Sequence, residues 1–145
     1  MTTKQVIAKL KRKKAALRRN LIDQFGKVGE QGVQIAKQYS QGTLNRIVLA
    51  QLGHPYGRRS GLSPVNAEVI NKQTGRFLAS WFWRLTPSGN SSIALQIVNN
   101  APYAKFLDKG TKRMIERPIR QVIVKKLTRP FRKAVQTAMR RALKA

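Results

Sequence analysis

The chain has 145 residues, of which 41% are hydrophobic, and this suits one domain with a modest core. It contains no cysteine, which excludes disulfides, thiol chemistry and thiolate metal sites and fits a reducing compartment. The chain has thirty Lys and Arg residues but only five Asp and Glu, so its formal net charge is +25. Its own acidic residues are too few to pair with the basic ones.

The first predicted element is one long helix over residues 4–40. Its glycines Gly26, Gly29 and Gly32 each cost roughly 1 kcal/mol relative to Ala, so they predict a kink or the close approach of another backbone. Gly42 is a plausible stop. The apolar stripe has three- and four-residue spacings and comprises Leu10, Leu17, Leu21, Phe25, Val28, Val33, Ile35 and Tyr39.

Residues 43–73 give the weakest structural signal. Thr43 could cap a short helix that runs through Leu52 and ends at Gly53. The segment from His54 to Gly61 has the composition of a loop, with two glycines and a proline. Ser63-Pro64 then has the pattern of a helix start, with Ser as N-cap and Pro in the first turn.

Residues 81–98 predict a β-hairpin. The first strand begins with three aromatic residues, and Pro87-Ser88-Gly89-Asn90 is a strong turn sequence. In the second strand Ile93, Leu95 and Ile97 occupy alternate positions and so share one face. The aromatic run Trp81-Phe82-Trp83 could stack on nucleic-acid bases. Alternation within a hairpin favours a place in the core or in a subunit interface instead.

A single helical turn is predicted after this hairpin, with Tyr103, Phe106 and Leu107 on one face and Gly110 at its end. Residues 112–128 fit either a strand or the start of a helix, and we favour extended structure because Pro130 disfavours a helical Arg129. A basic amphipathic helix then follows over residues 130–144, with Thr128 as its cap. Its predicted inward residues are Phe131, Val135, Ala138, Met139 and Leu143.

The predicted fold class is therefore α+β, with a long N-terminal helix and a C-terminal helix packed on a small antiparallel sheet. We expect a single domain over residues 1–145. Within it, residues 1–41 form the basic N-terminal helix, residues 42–73 a linker region and residues 74–145 an α+β core. The sequence contains no internal repeat or low-complexity tract.

No arrangement of residues typical of catalysis is visible, so we predict a protein that is not an enzyme and has no cofactor or metal. The carboxylates are Asp23, Glu30, Glu68, Asp108 and Glu116, and no two lie within six residues of each other. The one histidine, His54, lies in the Pro/Gly loop and is more simply a solvated residue than a catalytic one. The glycines at 57 and 61 flank Arg58-Arg59-Ser60, which could bind phosphate, although a surface turn is the simpler interpretation.

Basic clusters are the strongest chemical signal. Self-repulsion at +25 opposes folding, so we expect a polyanion in the working state: nucleic acid first, an acidic protein second, an anionic membrane third. Residues 1–40 carry ten Lys/Arg and two acids, and residues 111–145 carry twelve and one. A solvated charged face is the alternative. The candidate contacts are Lys11, Arg12, Lys13, Lys14, Arg18, Arg19, Lys125, Lys126, Arg132, Lys133, Arg140 and Arg141.

Nothing in the sequence predicts secretion or a membrane span. Lys9 and Lys11 interrupt the first apolar residues, so there is no apolar segment of a signal peptide. No apolar run approaches the roughly 18 residues that a transmembrane helix needs. We therefore expect no membrane partner.

Three segments, in order along the chain, carry a family resemblance. The first is Thr74-Gly75-Arg76-Phe77-Leu78-Ala79-Ser80-Trp81, before the hairpin. The second is Tyr103-Ala104-Lys105-Phe106-Leu107-Asp108-Lys109-Gly110-Thr111, after it. The third is Arg129-Pro130-Phe131-Arg132-Lys133-Ala134-Val135, with Glu116-Arg117-Pro118-Ile119 as a rival match.

These segments resemble the elements of the tail-completion family of long-tailed bacteriophages, which are neck or head–tail joining proteins. The first is similar to the family's Thr-Gly-x-Leu-x-x-Ser-Ile/Trp element and the second to its Tyr-Ala-x-Tyr/Phe-x-Glu-x-Gly-Thr signature. The third is similar to an Arg-Pro-Phe-Leu-x-Pro-Ala ending that opens the last helix. The departures are Phe77 for Leu, Asp108 for Glu and Lys133 for Pro, and residues 42–65 match no family element.

The resemblance implies a structural virion protein that is assembled in the host cytoplasm. It implies a homo-oligomeric ring, commonly hexameric, which joins the tail tube to head connector or stopper proteins and lets double-stranded DNA pass. Thr74, Gly75, Tyr103, Ala104, Phe106, Asp108, Gly110, Thr111, Arg129, Pro130 and Phe131 would then serve folding or assembly. We expect Asp108 to pair with a basic residue of the same or the next subunit, with a larger effect on the ring than on monomer folding.

Two other classes of function remain as alternatives. A basic nucleic-acid-binding module outside the virion, similar to a ribosomal or nucleoid protein, explains the charge but not the ordered segments. The hairpin also lacks the Lys/Arg-Gly-Phe/Tyr-Gly/Ala-Phe pattern of an RNA-binding sheet. A nuclease is disfavoured by the scarcity of carboxylates and histidine.

Overall fold

The computed structural model describes residues 2–44, 46–51, 69–70, 74–88, 92–112 and 114–144. Five helices and two strands lie in these ranges, and they confirm the α+β class. In chain order they are α1 (Thr3–Gln38), α2 (Arg46–Gln51), α3 (Arg76–Ala79), β1 (Trp81–Ser88), β2 (Ser92–Asn99), α4 (Ala104–Lys109) and α5 (Ile119–Lys144). The predictions for His54–Gly61 and Ser63-Pro64 fall outside the described residues, as does the Gly89-Asn90 half of the predicted turn. Pro87 and Ser88, the other half of that turn, belong to strand β1 instead.

The predicted N-terminal helix is confirmed as α1, whose 36 residues span about 54 Å at 1.5 Å per residue. Its glycines meet neighbouring side chains rather than a backbone. A Cβ on Gly29 would lie 2.6 Å from the indole of Trp83, and one on Gly32 would lie 2.4 Å from the Cδ1 of Ile97. The glycines therefore make room for the hairpin to settle onto the middle of α1.

Strands β1 and β2 form the predicted hairpin. They pair antiparallel, with Trp81 opposite Asn99 and Trp83 opposite Ile97. Trp83 and Ile97 share the face that meets α1, as expected for alternating side chains. The indole Nε1 of Trp81 donates a hydrogen bond to Ser40 Oγ at 3.0 Å. The two tryptophans that begin the hairpin therefore contact α1 and Ser40 within the same chain, and both are half-buried.

The final helix is longer than predicted. Residues 119–128 are helical, not extended, and Pro130 lies inside α5. Thr128 is not its cap: the hydroxyl donates to Val124 O at 2.8 Å. The extended alternative was wrong because Ile119, Ile123 and Leu127 are buried together in the core on one helical face. That burial outweighs the cost of a proline within the helix, about 3 kcal/mol.

Helices α1 and α5 lie side by side and antiparallel. Near one end, Lys13 Nζ donates to Leu143 O at 2.7 Å. Farther along, the rings of Phe25 and Phe131 stack at 4.8 Å, and a Cβ on Gly32 would meet Leu127. The core forms where this helix pair meets the hairpin, and its buried members are Val28, Ala36, Ile70, Phe77, Ala101, Ile119, Ile123, Leu127 and Ala134.

The second half of α5 buries different residues from those predicted. Ala138 is buried as expected, whereas Phe131, Met139 and Leu143 are exposed. The other buried residues here are Ala134 and Ala142. Small side chains let two helices approach closely, so the larger apolar residues are displaced to the outside.

Candidate functional site

The first two motif segments meet around the ring of Phe77, which is buried. Tyr103 stacks on this ring at 6.1 Å, and Trp81 meets it edge-on at 5.5 Å. Asn99 reinforces the junction, because its Nδ2 donates to Phe77 O and its Oδ1 accepts from the Ala101 N–H. Phe77 and Tyr103 are 26 positions apart in sequence, and through their contact the two segments form one packed unit.

Two glycines of the motif segments have a positive φ, which residues other than glycine rarely adopt. Gly75 has φ of 78° just before α3, and Gly110 has φ of 65° just after α4. A Cβ on Gly110 would lie 2.8 Å from both Glu116 N and Met114 O. Gly110 therefore ends α4 as predicted and lets the following loop fold back against it.

The predicted anchors of α4 are only partly right. Tyr103 contacts Phe77, but Phe106 points outward and is 47% exposed, with Lys105 Nζ 5.0 Å from its ring centroid. Leu107 packs against the core as predicted, and Ala104 packs there as well. The inward face of α4 therefore combines Ala104 with Leu107, and Phe106 lies outside it.

Asp108 finds its basic partner within the same chain. Its Oδ2 lies 3.5 Å from Arg120 Nε, and its Oδ1 accepts a hydrogen bond from Arg120 N at 3.3 Å. That N–H belongs to the first turn of α5, where backbone donors lack helical partners and an acid is favourable. Asp108 therefore joins α4 to the start of α5.

Arg117 was not singled out from the sequence except as part of the rival match. It is 1% exposed, its backbone N–H donates to Leu107 O, and its Nη1 donates to Val69 O. Among the described residues Nη2 has no hydrogen-bond partner. Burial lowers the pKa of this guanidinium, which remains charged at neutral pH.

The third motif segment does not open the last helix, and this prediction was wrong. Arg129, Pro130 and Phe131 lie within α5, near its middle. Glu116-Arg117-Pro118-Ile119, the rival match, leads directly into the first residue of α5. Proline is favoured at the start of a helix, which is why the sequence suggested a helix start at Pro130. Pro118, directly before Ile119, is the proline at the start of α5.

The basic candidates separate into two places. We define the arm as residues 3–20 of α1 with residues 132–144 of α5, where Lys13 contacts the carbonyl of Leu143. The arm carries eight Lys/Arg on α1 and five on α5, and no acid. Lys125 and Lys126 lie elsewhere, with Lys126 Nζ 5.6 Å from the Tyr39 ring. Thirteen positive charges are thus concentrated on a pair of helices with little core of its own.

Asp23, just beyond the arm, ties the two helices together. Its Oδ2 accepts from Lys27 Nζ at 3.0 Å and lies 3.7 Å from Arg141 Nη1. Hydrogen bonds from Lys27 and then Gln24 lower the pKa of the Asp23 carboxyl. The pair is exposed, so it orients the helices more than it stabilises them.

An apolar groove of about 740 Å³ opens between β2 and α5. Val28 of α1 and Phe77 lie at its base, and Val124 and Phe131 lie on its α5 side. The charged residues along it are Lys105, Asp108, Arg120 and Arg132. Sequence patterns could not reveal the groove, because it arises from the spacing of elements that are distant in the chain.

The described residues include no group of three or more His, Asp or Glu side chains that could hold a metal ion. In the same part of the chain, no helix is long and apolar enough to cross a membrane. Asp108 and Asp23 are both committed to Arg or Lys partners. What the described residues offer is thus a packed motif unit, a basic arm and an apolar groove.

Comparisons with known protein families, with curated proteins and with solved structures each gave no match to this chain.

Proposed function

We propose that this protein is a structural subunit of the neck or upper tail of a long-tailed bacteriophage. In this proposal its copies form a ring, hexameric as is common in the tail-completion family, between tail tube and head connector. DNA passes through the lumen. The observation that carries the proposal is the packing of the family-like segments 74–81 and 103–111 around Phe77.

Uncovered apolar surface also supports an assembled state. Val6, Ile7 and Leu10 on α1 and Met139 and Leu143 on α5 are all at least 40% exposed and lie on the arm. Exposed apolar residues that lie together in one patch mark a contact surface for a partner. Contact between arms of neighbouring copies would cover them, provided that an anion screens the thirteen positive charges.

The arm's charge supports proximity to a polyanion in the assembled particle. Lys and Arg side chains contact phosphates without regard to sequence and release counterions, so such contact weakens as salt rises. DNA in transit suits this type of contact, because the phosphates must be held weakly and released. An acidic neighbouring protein in the neck would meet the same charge by similar means.

The proposal is tested by the mass and shape of the purified protein. Light scattering and negative-stain microscopy, at about 50 mM and about 500 mM salt, should show rings that depend on protein concentration, alone or after addition of tail tubes. Rings that persist at high salt would assign assembly to apolar contacts. A monomer that never stacks on tail tubes or connectors would overturn the proposal.

A basic nucleic-acid-binding module is the second candidate, and the arm is the observation that favours it. Titration of labelled duplex DNA with the protein distinguishes the two. Tight, salt-sensitive binding by a monomer supports the module. The same titration with Arg18 and Arg19 changed to Glu gives the share contributed by the arm.

A further inference from the structure

The groove between β2 and α5 has the features of a docking site for another protein. Its base is formed by buried side chains of the core, including Val28 and Leu127. Its outer edge on α5 is formed by Val124, which is 61% exposed, and by Phe131. Apolar side chains are therefore present both deep in the groove and at its opening.

The groove is long enough for a short peptide segment. Arg120 lies at one end and Arg132 at the other, twelve residues apart on α5. At 1.5 Å per residue this distance is about 18 Å. A helix of three turns or a strand of five to six residues has that length.

The charges around the groove select the occupant. Lys105, Arg120 and Arg132 line it together with one carboxylate, Asp108. Asp108 is already paired with Arg120, so no carboxylate that lines the groove is left to pair with Lys105 or Arg132. A segment with apolar residues facing inward and Asp or Glu at its margins would complement this pattern.

A second copy of this chain is a poor occupant. The exposed apolar residues Val6, Ile7 and Leu10 could reach out from one copy, but Lys4, Lys9 and Lys11 lie among them. Like charges would then face one another across the contact, which costs several kcal/mol in an interface. With five acids against thirty bases, the chain has few segments that could avoid this conflict.

We propose that this groove binds a short, acidic, amphipathic segment of a different protein. Its apolar side chains insert between β2 and α5, and its carboxylates meet Lys105 and Arg132. Apart from Arg132, the first arm residue on α5, the arm is not part of this site. The inference stands on the groove and does not require that the protein form a ring.

The test uses the whole protein and a fluorescently labelled 12-residue peptide of Leu and Glu, patterned so that Leu lies on one helical face. Two control peptides accompany it: one with the same composition in scrambled order, and one with Lys in place of Glu. Fluorescence anisotropy gives the dissociation constants. We expect saturable binding of the patterned acidic peptide, at least tenfold weaker binding of the scrambled peptide, and no saturation with the Lys peptide.

Matched variants locate the binding. Val124→Asp places a charge at the opening of the groove, and Leu143→Asp places the same charge on the same helix outside it. Both residues are more than 60% exposed, so neither change should disturb folding. We expect Val124→Asp to weaken peptide binding at least tenfold and Leu143→Asp to change it less than twofold.

Charge reversal on the basic side gives a second comparison. Arg132→Glu changes a lining residue, and Lys133→Glu changes its exposed neighbour, which does not line the groove. Both variants lower the positive charge of the protein equally, so Lys133→Glu measures that general effect on peptide binding. We expect Arg132→Glu to weaken binding more than Lys133→Glu does. Equal effects within either pair of variants, or equal binding of the patterned and scrambled peptides, would overturn the proposal.

Self-association is measured on the same variants by light scattering. If Val124→Asp dissociates an oligomer that Leu143→Asp leaves intact, a second copy occupies the groove and the proposal is wrong. If rings form and Val124→Asp leaves them unchanged while peptide binding is lost, the groove serves a different protein. If no rings form under any condition, the proposed ring is contradicted, and the peptide-binding measurements alone decide whether the groove binds an acidic segment.

Discussion

The indole of Trp83 occupies the space that a side chain on Gly29 would need. A Cβ at position 29 would lie 2.6 Å from Trp83 Cδ2, closer than van der Waals contact permits. Gly26 lies one turn earlier on α1, and there a Cβ would sit at an ordinary 3.5 Å from the same indole. Both glycines face the Trp83 indole, but only Gly26 has room for a Cβ atom.

This difference predicts opposite outcomes for one substitution. Gly29→Ala should destabilise the fold by about 1–3 kcal/mol, because overpacking moves Trp83 and outweighs the gain in helix propensity. Gly26→Ala should stabilise it by up to about 1 kcal/mol. Urea denaturation followed by tryptophan fluorescence measures both. Equal stability of the two variants would show that Trp83 does not fix the hairpin on α1.

Ser40 links the end of α1 to the start of β1. Its side chain is buried, accepts from Trp81 Nε1 and donates to Ala36 O. Ser40→Ala should lower the free energy of unfolding by about 1–3 kcal/mol, because it leaves the indole donor without its partner. Trp81→Phe removes that donor, so the double variant should lose less than the sum of the two single changes. Additive losses would contradict the predicted coupling.

Asp108→Ala should reduce monomer stability by about 1 kcal/mol, because both the contact with Arg120 Nε and the cap on its backbone N–H are lost. Asp108→Asn keeps an oxygen that can accept from the N–H and should lose less. Thermal denaturation ranks the two variants. Loss of oligomers at unchanged monomer stability would instead support the other predicted partner of Asp108, a basic residue of a neighbouring subunit.

Pro130 removes a hydrogen bond from α5, because it has no N–H to donate to the carbonyl of Lys126 four residues earlier. Pro130→Ala should therefore stabilise the fold by about 1–3 kcal/mol. The exposed neighbour Arg129→Ala is the matched control and should change stability by less than about 0.5 kcal/mol. If Pro130→Ala is destabilising, the proline has a packing role next to the stacked pair of Phe25 and Phe131.

Salt should stabilise the isolated protein. The net charge is +25, and thirteen of the positive charges lie on the arm. These like charges repel one another, and dissolved ions screen the repulsion. The melting temperature should rise between about 50 mM and 500 mM NaCl, and by a larger amount in sodium sulfate at equal ionic strength. Changing Arg18 and Arg19 to Glu should reduce the slope. A melting temperature that does not respond to salt would mean that the arm's charges contribute little to the stability of the fold.

The elements with strong periodicity were predictable. The stripe that includes Phe25 and Val28 gave α1, and the alternation around Ile97 gave β2, because each pattern reflects burial of one face. The start of α5 was not predictable from local rules. Pro130 is a helix breaker by its own chemistry, but the burial of Ile119, Ile123 and Leu127 in the core outweighs that preference.

The candidate site was predictable only in its chemistry. Basic residues at both ends of the chain were evident, but their concentration on one arm depends on the antiparallel contact between Lys13 and Leu143. The partner of Asp108 was left open, because Arg120 is one of many cations at similar separation in sequence. The groove depends on three elements at once, and no single-segment pattern carries that information.

The antiparallel pairing of α1 with α5 also sets an order of events during synthesis. The hydrogen bond from Lys13 to Leu143 joins residues 130 positions apart, so the largest helix–helix contact is also among the most distant in sequence. Loop closure over such a distance is slow and costs entropy before any contact repays it. Helix α1 is synthesised before α5 and stays without this partner until α5 has followed. During that interval its basic, partly apolar surface is available to nascent-chain chaperones and to the ribosomal RNA beside it.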